Sequence, residues 1–366
     1  MRRVTARHSP AQIAAFAAGE SAQVVARDRR DAALVFLPRG QADSVRAVAV
    51  EHYECPIPGC DSPVPLSTRG GSKRDHFWHR RPHAHPGGPE SLHHFQAKHL
   101  VAQWARAAAA AGGVEVAVNE EEWSSDVRRR PDVLATWPDG SRVAFEVEYK
   151  SFPVAAWRAK DDAYRAAGIV PVWLFGHTPE RYLKPERRAG RARGEGEPPA
   201  FRLTAITACA AERGPVLFIN PVLGLVGTLW DRGEDLETVR AEDRRWFISR
   251  GRRVGDPRAV SPNRDASFDL ALSELRACAL DVSRGLVTPT MSAIEVEARR
   301  VQDAAAADRV AITSAARAAR ASGRRAVARQ VRSVVPAPPS APGARCRVCG
   351  NELDPILAAA GRHVLC

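Results

Sequence analysis

From Glu90 to Gly112 the apolar residues Leu92, Phe95, Leu100, Val101 and Trp104 recur at helical spacing, and the run stops at Gly112-Gly113. This predicts a helix with one buried stripe. The pattern then changes period. Val114–Val118, the run Pro131-Asp-Val-Leu-Ala-Thr-Trp137 and the run Arg142–Tyr149 are short and rich in β-branched and aromatic residues, which predicts three strands. Pro138-Asp139-Gly140 is a turn signal, so the last two read as a hairpin. Ala155–Ala167 returns to helical spacing, and Ile169–Phe175 is the continuous apolar run of a buried strand. The order helix, strand, strand, strand, helix, strand suits an α/β sandwich better than any repeat architecture.

Either side of this block the pattern is thinner. Ala11–Ala18 reads as a short helix and Ala32–Leu37 as a strand, while Val216–Ile219 and Leu223–Leu229 read as an added hairpin. Residues 185–199 hold Arg, Gly, Glu and Pro with no apolar content, which predicts a mobile loop. From Phe268 to Val331 the chain is mostly Ala, Arg and Glu at helical spacing, so a long helix or a helical pair, broken near Thr288-Pro289, is expected. Val334–Gly343 is a Pro-rich linker. The predicted organisation is an N-terminal Cys/His region (1–88), an α/β domain (89–250), an Arg/Ala-rich helical region (265–333), the linker (334–343) and a C-terminal Cys/His module (344–366).

Charged residues interrupt the otherwise apolar run from Arg142. If the run from Arg142 continues as a strand through Lys150, Glu146, Glu148 and Lys150 share one face. Asp132 lies on the partner run, so two carboxylates and one further polar group converge. A hard divalent cation needs such a set to bind and polarise a phosphodiester. Alternating charge is also common on a solvated strand face. The apolar flanks Val143, Ala144, Phe145 and Val147 speak instead for a central strand, which rarely carries acids without purpose. On the first helix Glu90, His94 and Lys98 fall at i, i+4 and i+8 and line one face, an arrangement that an ordinary solvated stripe also explains.

Two Cys/His sets have ligand-like spacing. Cys55-Pro-Ile-Pro-Gly-Cys60 followed by His76-Phe77-Trp78-His79 gives the Cys₂His₂ donors of a closed zinc site, with His83 and His85 as spare candidates. Cys346-Arg-Val-Cys349 with His363-Val-Leu-Cys366 is a tighter pattern in a segment too short to fold on its own core, which makes Zn²⁺ nearly obligatory there. Cys209 and Cys278 stand alone and read as buried thiols. There is no Gly-rich phosphate loop, nucleophile elbow or dinucleotide fingerprint.

Composition adds a partner class. Lys and Arg number 54 against 42 Asp and Glu in 366 residues, a formal net charge of +12, which favours nucleic acid or another polyanion, although a GC-rich genome also inflates Arg and Ala. No stretch approaches the apolar length of a membrane span, and the first residues lack the apolar core of a signal peptide. The seven cysteines are too few and too clustered for a disulfide scaffold. These features predict a cytoplasmic protein with reduced thiols.

Taken in order, the motifs resemble the competence protein CoiA-like family, whose members join a Cys-rich N-terminal segment to a nuclease of the PD-(D/E)xK class. The matching strings are Cys55…Cys60, His76-Phe77-Trp78-His79, Glu90-Ser91-x-x-His94-x-x-x-Lys98-x-x-Leu, Arg130-Pro131-Asp132-Val133, Glu146-Val147-Glu148, Arg158…Tyr164…Gly168-Ile169 and Val172-Trp173-Leu174. They cover roughly residues 50–230. The resemblance implies a restriction-endonuclease-like core sheet flanked by helices, and metal-dependent hydrolysis of DNA in uptake, recombination or defence. Asp132 and Glu146 would hold Mg²⁺ or Mn²⁺. Glu148 would take the proton of the attacking water or complete the metal shell, and Lys150 or Lys98 would stabilise the developing charge. His94 and Glu90 would be auxiliary groups. The family often has Glu-x-Gln where this chain has Glu146-Val147-Glu148, so the frame is either Glu146/Glu148 or Glu148/Lys150; the spacing from Asp132 favours the first.

Two other classes also fit. One is a zinc-dependent nucleic-acid-binding protein with a degenerate, inactive nuclease core. The other is an interaction scaffold in which residues 268–331 oligomerise, although few large apolar residues occupy heptad positions there. A homo-oligomer is compatible with every reading.

Overall fold

A computed structural model describes residues 8–18, 22–57, 59–60, 65–71, 74–81, 88–150, 153–178, 182–185, 201–231, 246–247, 252–253, 268–334, 345 and 347–348. The chain divides into two compact units, Met1–Gln302 and Asp303–Cys366. Among the described residues no helix is long and apolar enough to cross a membrane.

The first unit is mixed α/β. It opens with α1 (Pro10–Ala17), β1 (Val25–Asp28), β2 (Leu34–Phe36), α2 (Ala42–His52), β3 (Tyr53–Glu54), β4 (Leu66–Arg69) and β5 (His76–His79). Strands β2-β1-β3 make a small sheet and β4-β5 a hairpin. The central block follows as α3 (Gly88–Ala111), β6 (Ala117–Glu120), β7 (Val133–Thr136), β8 (Arg142–Glu148), α4 (Val154–Ala166) and β9 (Ile169–Gly176), the predicted order. Next come β10 (Lys184–Pro185), β11 (Phe201–Arg202), α5 (Ala205–Ala211), β12 (Leu217–Asn220), β13 (Leu225–Asp231), β14 (Trp246–Phe247), β15 (Arg252–Arg253), β16 (Phe268–Glu274), β17 (Ala279–Asp281), β18 (Gly285–Val287) and α6 (Pro289–Val334).

Nine strands form one sheet in the order β10-β11-β16-β13-β12-β9-β8-β7-β6. β7 and β8 pair antiparallel, with Val133 opposite Phe145 and Thr136 opposite Arg142. The turn between them closes at Asp139-Gly140, where glycine takes φ 84°. β9 returns parallel to β8 through α4, with Glu146 opposite Trp173. β8 therefore has a neighbour on each side and helices over both faces. Val143, Phe145 and Val147 join the cluster of Ala97, Val101 and Trp104 from α3, while Ala144 packs with Tyr164 of α4. Fully burying each such apolar side chain is worth about 1.5–3 kcal/mol. These contacts fix the register that the site depends on.

The N-terminal segment is tied to the same block. Gln96 of α3 is fully buried; its Oε1 accepts the Val24 N–H at 2.5 Å and its Nε2 donates to the Ala22 carbonyl at 3.2 Å.

The structure departs from the predicted helix at Phe268. Residues 268–287 form β16, a 3₁₀ turn and the β17–β18 hairpin, and α6 begins only at Pro289. The Ala, Leu, Glu and Arg content of that segment favours helix. Its Phe268, Leu270 and Leu272 nevertheless alternate, and pairing with β13 from Phe268 to Glu274 decides the outcome. Gly285 sits at φ 75°, where a Cβ would come within 2.2 Å of Val172 Cγ2. Residues 186–199 of the expected loop, the linker from 335 and the ligand set Cys346, Cys349, His363 and Cys366 lie outside the described residues.

Candidate functional site

Residues of β8 alternate sides. The even-numbered ones turn toward α4, and there the strand carries Glu146, which is only 2 % exposed. A lone buried carboxylate is costly, so it needs partners. α4 supplies two, one turn apart: Lys160 Nζ donates to Glu146 Oε2 at 2.6 Å, and the Tyr164 hydroxyl donates to Oε1. Burial, with the Asp132 charge adding to it, raises the Glu146 pKa to about 7 against the pull of Lys160 and Tyr164.

Asp132 sits immediately before β7, after Pro131. Its Oδ2 accepts the Val147 N–H of β8 at 2.8 Å, and His94 Nε2 of α3 donates to Oδ1 at 3.1 Å. Burial opposes ionisation here as well. The His94 hydrogen bond and charge, with the Val147 N–H, outweigh it and hold the carboxyl below its usual range. For His94 burial favours the neutral ring, but the bond to Asp132 wins and raises its pKa. Glu148, half-buried at the end of β8, accepts the Lys150 N–H at 2.7 Å through Oε1, and burial raises its pKa.

The structure thus brings Asp132, Glu146, Glu148 and His94 into one electrostatic neighbourhood. Of the two predicted cations, Lys98 borders this neighbourhood, its charge opposing the rise of the His94 pKa. Lys98 is buried and bonds Glu121 at 2.5 Å. Lys150 is exposed, because β8 ends at Glu148 and the expected alternation stops before it. Glu90 lies in α3, but its side chain is outside the described residues. Sequence reasoning passed over Lys160 and Tyr164 as site residues. Their signal was an i, i+4 pair on a helix whose buried face also carries Trp157 and Asp161.

A second cluster lies in the N-terminal segment. One donor atom each from Cys55, Cys60 and His79 falls within 4.8 Å of the others, and among the described residues no other group of three His, Cys, Asp or Glu does so. Cys60 Sγ and His79 Nε2 are 3.9 Å apart, close to the separation of two donors on a tetrahedral ion with bonds of about 2.0–2.3 Å. Burial, and Cys60 beside it, push the Cys55 thiol up to about 12. His76 does not join them. It lies three residues from His79 on the same strand, so the two rings take opposite faces, and its Nδ1 is 2.8 Å from the Arg74 carbonyl oxygen. The spare candidates His83 and His85 lie outside the described residues. Cys278 is buried as expected, with its thiol pushed up to about 12, whereas Cys209 is half-buried.

Residues 90–188 match the family model described as competence protein CoiA, nuclease-like domain. This stretch runs from α3 through β10, contains His94, Asp132, Glu146, Glu148, Lys160 and Tyr164, and is similar to the CoiA nuclease-like domain. No curated protein and no solved structure matches the chain.

Proposed function

We propose that this CoiA nuclease-like domain hydrolyses phosphodiester bonds in cytoplasmic DNA, with Mg²⁺ or Mn²⁺ held by Asp132 and Glu146. The observation that carries the reading is the pairing of two acids, one just before β7 and one on β8, whose environments drive their pKa values apart. Asp132 is kept ionised by His94, while Glu146 is held near neutrality by burial and by Asp132 itself. An all-oxygen set with one or two carboxylates suits Mg²⁺, which keeps several waters. Bound there, the ion would lower the pKa of a water and offset charge in the transition state.

The chain's own groups have separable tasks. Asp132 is a constant anion, aimed by the Val147 N–H and the His94 ring. Glu146 would hold the cation together with Asp132, and Lys160, now paired with Glu146, would supply positive charge toward the phosphate, the role the sequence reading gave to Lys150 or Lys98. Glu148, with a raised pKa and partial exposure, is placed to accept a proton from water. Lys150 lies beyond the strand end, which supports the Glu146/Glu148 frame over Glu148/Lys150. Cys55, Cys60 and His79 offer the soft donors of a structural Zn²⁺ site; the C-terminal Cys/His set is proposed as a second on spacing alone.

One observation favours a binding protein with an inactive core: the Lys160–Glu146 ion pair occupies a carboxylate that a cation would need. Labelled single-stranded, duplex and branched DNA should be incubated with zinc-loaded protein plus Mg²⁺, Mn²⁺ or neither, beside Asp132→Ala/Glu146→Ala. Cutting that requires the divalent ion and vanishes in the variant is the expected result. Salt-sensitive binding with no cutting in either metal establishes the inactive alternative.

A further inference from the structure

The segment between β6 and β7, residues 121–131, leads directly into Asp132, and its one aromatic ring faces water. Trp123 is 59 % exposed, and it is the only aromatic among the exposed large hydrophobic residues described. A tryptophan buries a large area when it can, so an exposed indole on a fixed segment offers a flat apolar face on which a ligand ring could stack.

The segment is fixed at several points. Ser124 and Arg129 exchange backbone hydrogen bonds at 2.9 and 3.3 Å, and the Glu121 N–H donates to the Asp132 carbonyl at 3.2 Å. Asp126 pairs with Arg142 at 2.6 Å, and Glu122 accepts from Asn119 at 2.5 Å. Glu121 and Arg128 hold left-handed backbone at φ 51° and 49°, a conformation that non-glycine residues seldom adopt and that tertiary contacts must maintain.

Charge on the segment is one-sided in its availability. Glu121, Glu122 and Asp126 are each engaged, to Lys98, Asn119 and Arg142. Arg128 and Arg130 are exposed and have no carboxylate partner among the described residues. The charge of Arg129 acts on Tyr164, the residue that bonds Glu146. An exposed indole and two exposed arginines therefore lie on the one short segment that leads into Asp132. Bases stack on exposed aromatic rings while cations follow the phosphates, and each stacked base contributes about 1–3 kcal/mol.

We infer that Trp123 is a stacking platform for an unpaired nucleobase, with Arg128 and Arg130 on the backbone of the same strand, so that the site prefers single-stranded or frayed DNA. A base inside a duplex offers no free face to the ring. The inference rests on the nucleic-acid reading of the Asp132–Glu146 site.

The test is binding by the zinc-loaded full chain, without Mg²⁺ or Mn²⁺, to fluorescein-labelled oligothymidylate and to a duplex of equal length, for wild type, Trp123→Ala and Trp123→Phe. Loss of oligothymidylate affinity by about 5- to 100-fold in Trp123→Ala, near-wild-type affinity in Trp123→Phe and little change on the duplex is the expected pattern. Equal losses on both DNAs, no loss on either, or a wild type that does not bind oligothymidylate would each overturn it. Cleavage assayed in parallel keeps the two readings distinct. A wild type that binds as expected but does not cut ends the nuclease and leaves the platform standing. Unchanged binding by Trp123→Ala, with cutting that Asp132→Ala abolishes, ends the platform and leaves the nuclease.

Discussion

The two faces of β8 carry opposite kinds of residue. Val143, Phe145 and Val147 are fully buried among apolar residues of α3 and the adjacent strands. One residue along in each case, the other face carries Ala144, Glu146 and Glu148 toward Lys160 and Tyr164 of α4. Period-two alternation lets one strand anchor the fold on one side and gather titratable groups on the other. The faces are joined through the backbone, because the Val147 N–H that holds Asp132 belongs to a residue whose side chain sits in the opposite core. Core packing thereby sets the aim of a carboxylate it never touches.

The sharpest way to separate the faces is to change one atom of the polar side. Asp132→Asn keeps an acceptor for the Val147 N–H and removes the charge. Metal-dependent cleavage should fall by about 10³-fold or more, with thermal stability nearly intact. Comparable loss of both would mean that the acids hold the fold. The mirror change is Phe145→Ala, whose ring stands edge-on to Trp104 at a centroid distance of 5.7 Å. It should cost about 3–5 kcal/mol of stability in a denaturant titration, while cleavage per folded molecule changes far less.

Lys160→Met tests a subtler part of the polar face, since the aliphatic stem remains and only the charge goes. Cleavage should drop by about 10- to 100-fold, the range for one positioned electrostatic group. Lys160 opposes the burial of Glu146, so without it the Glu146 pKa rises above about 7 and the acidic limb of the pH–rate profile moves to higher pH. An unmoved limb would separate Lys160 from Glu146 in the reaction.

The apolar face was the legible one. Runs such as Ile169–Phe175 and the turn at Asp139-Gly140 announce strands and their pairing because both signals are local. Asp132 and Glu146 were legible for the same reason, being acids in otherwise apolar runs. Lys160 and His76 show where that reading ends. Lys160 matters only because α4 returns across β8, a contact between distant parts of the chain. His76 fits the spacing of a ligand but sits on a strand, where three residues reverse the face. β16 shows the same limit from another side: composition favoured helix until a partner strand was available. Trp123 was visible in the sequence, yet its exposure depends on the bonds that fix its segment.

A last prediction refines the comparison, because the apolar face is not wholly inert to protons. At its end Tyr149 donates to the Ile219 carbonyl at 2.8 Å and lies 2.9 Å from His177 Nδ1. His177 follows β9 in full burial, with the His93 ring of α3 at 5.0 Å and Phe16 of α1 at 6.1 Å. Burial, with the His93 charge adding to it, lowers the His177 pKa to about 3, against the carbonyl that favours its charge. Between about 3 and 6.5 the unfolded chain therefore binds more protons at this position than the native one. Stability from neutral His177 is complete above about 6.5 and is lost as pH falls through that window, by at most about 1.4 kcal/mol per pH unit. His177→Gln should be less stable than wild type at pH 7 and should lose stability more slowly on acidification. Parallel curves of melting temperature against pH would assign the acid sensitivity to other groups and return this face to a purely apolar role.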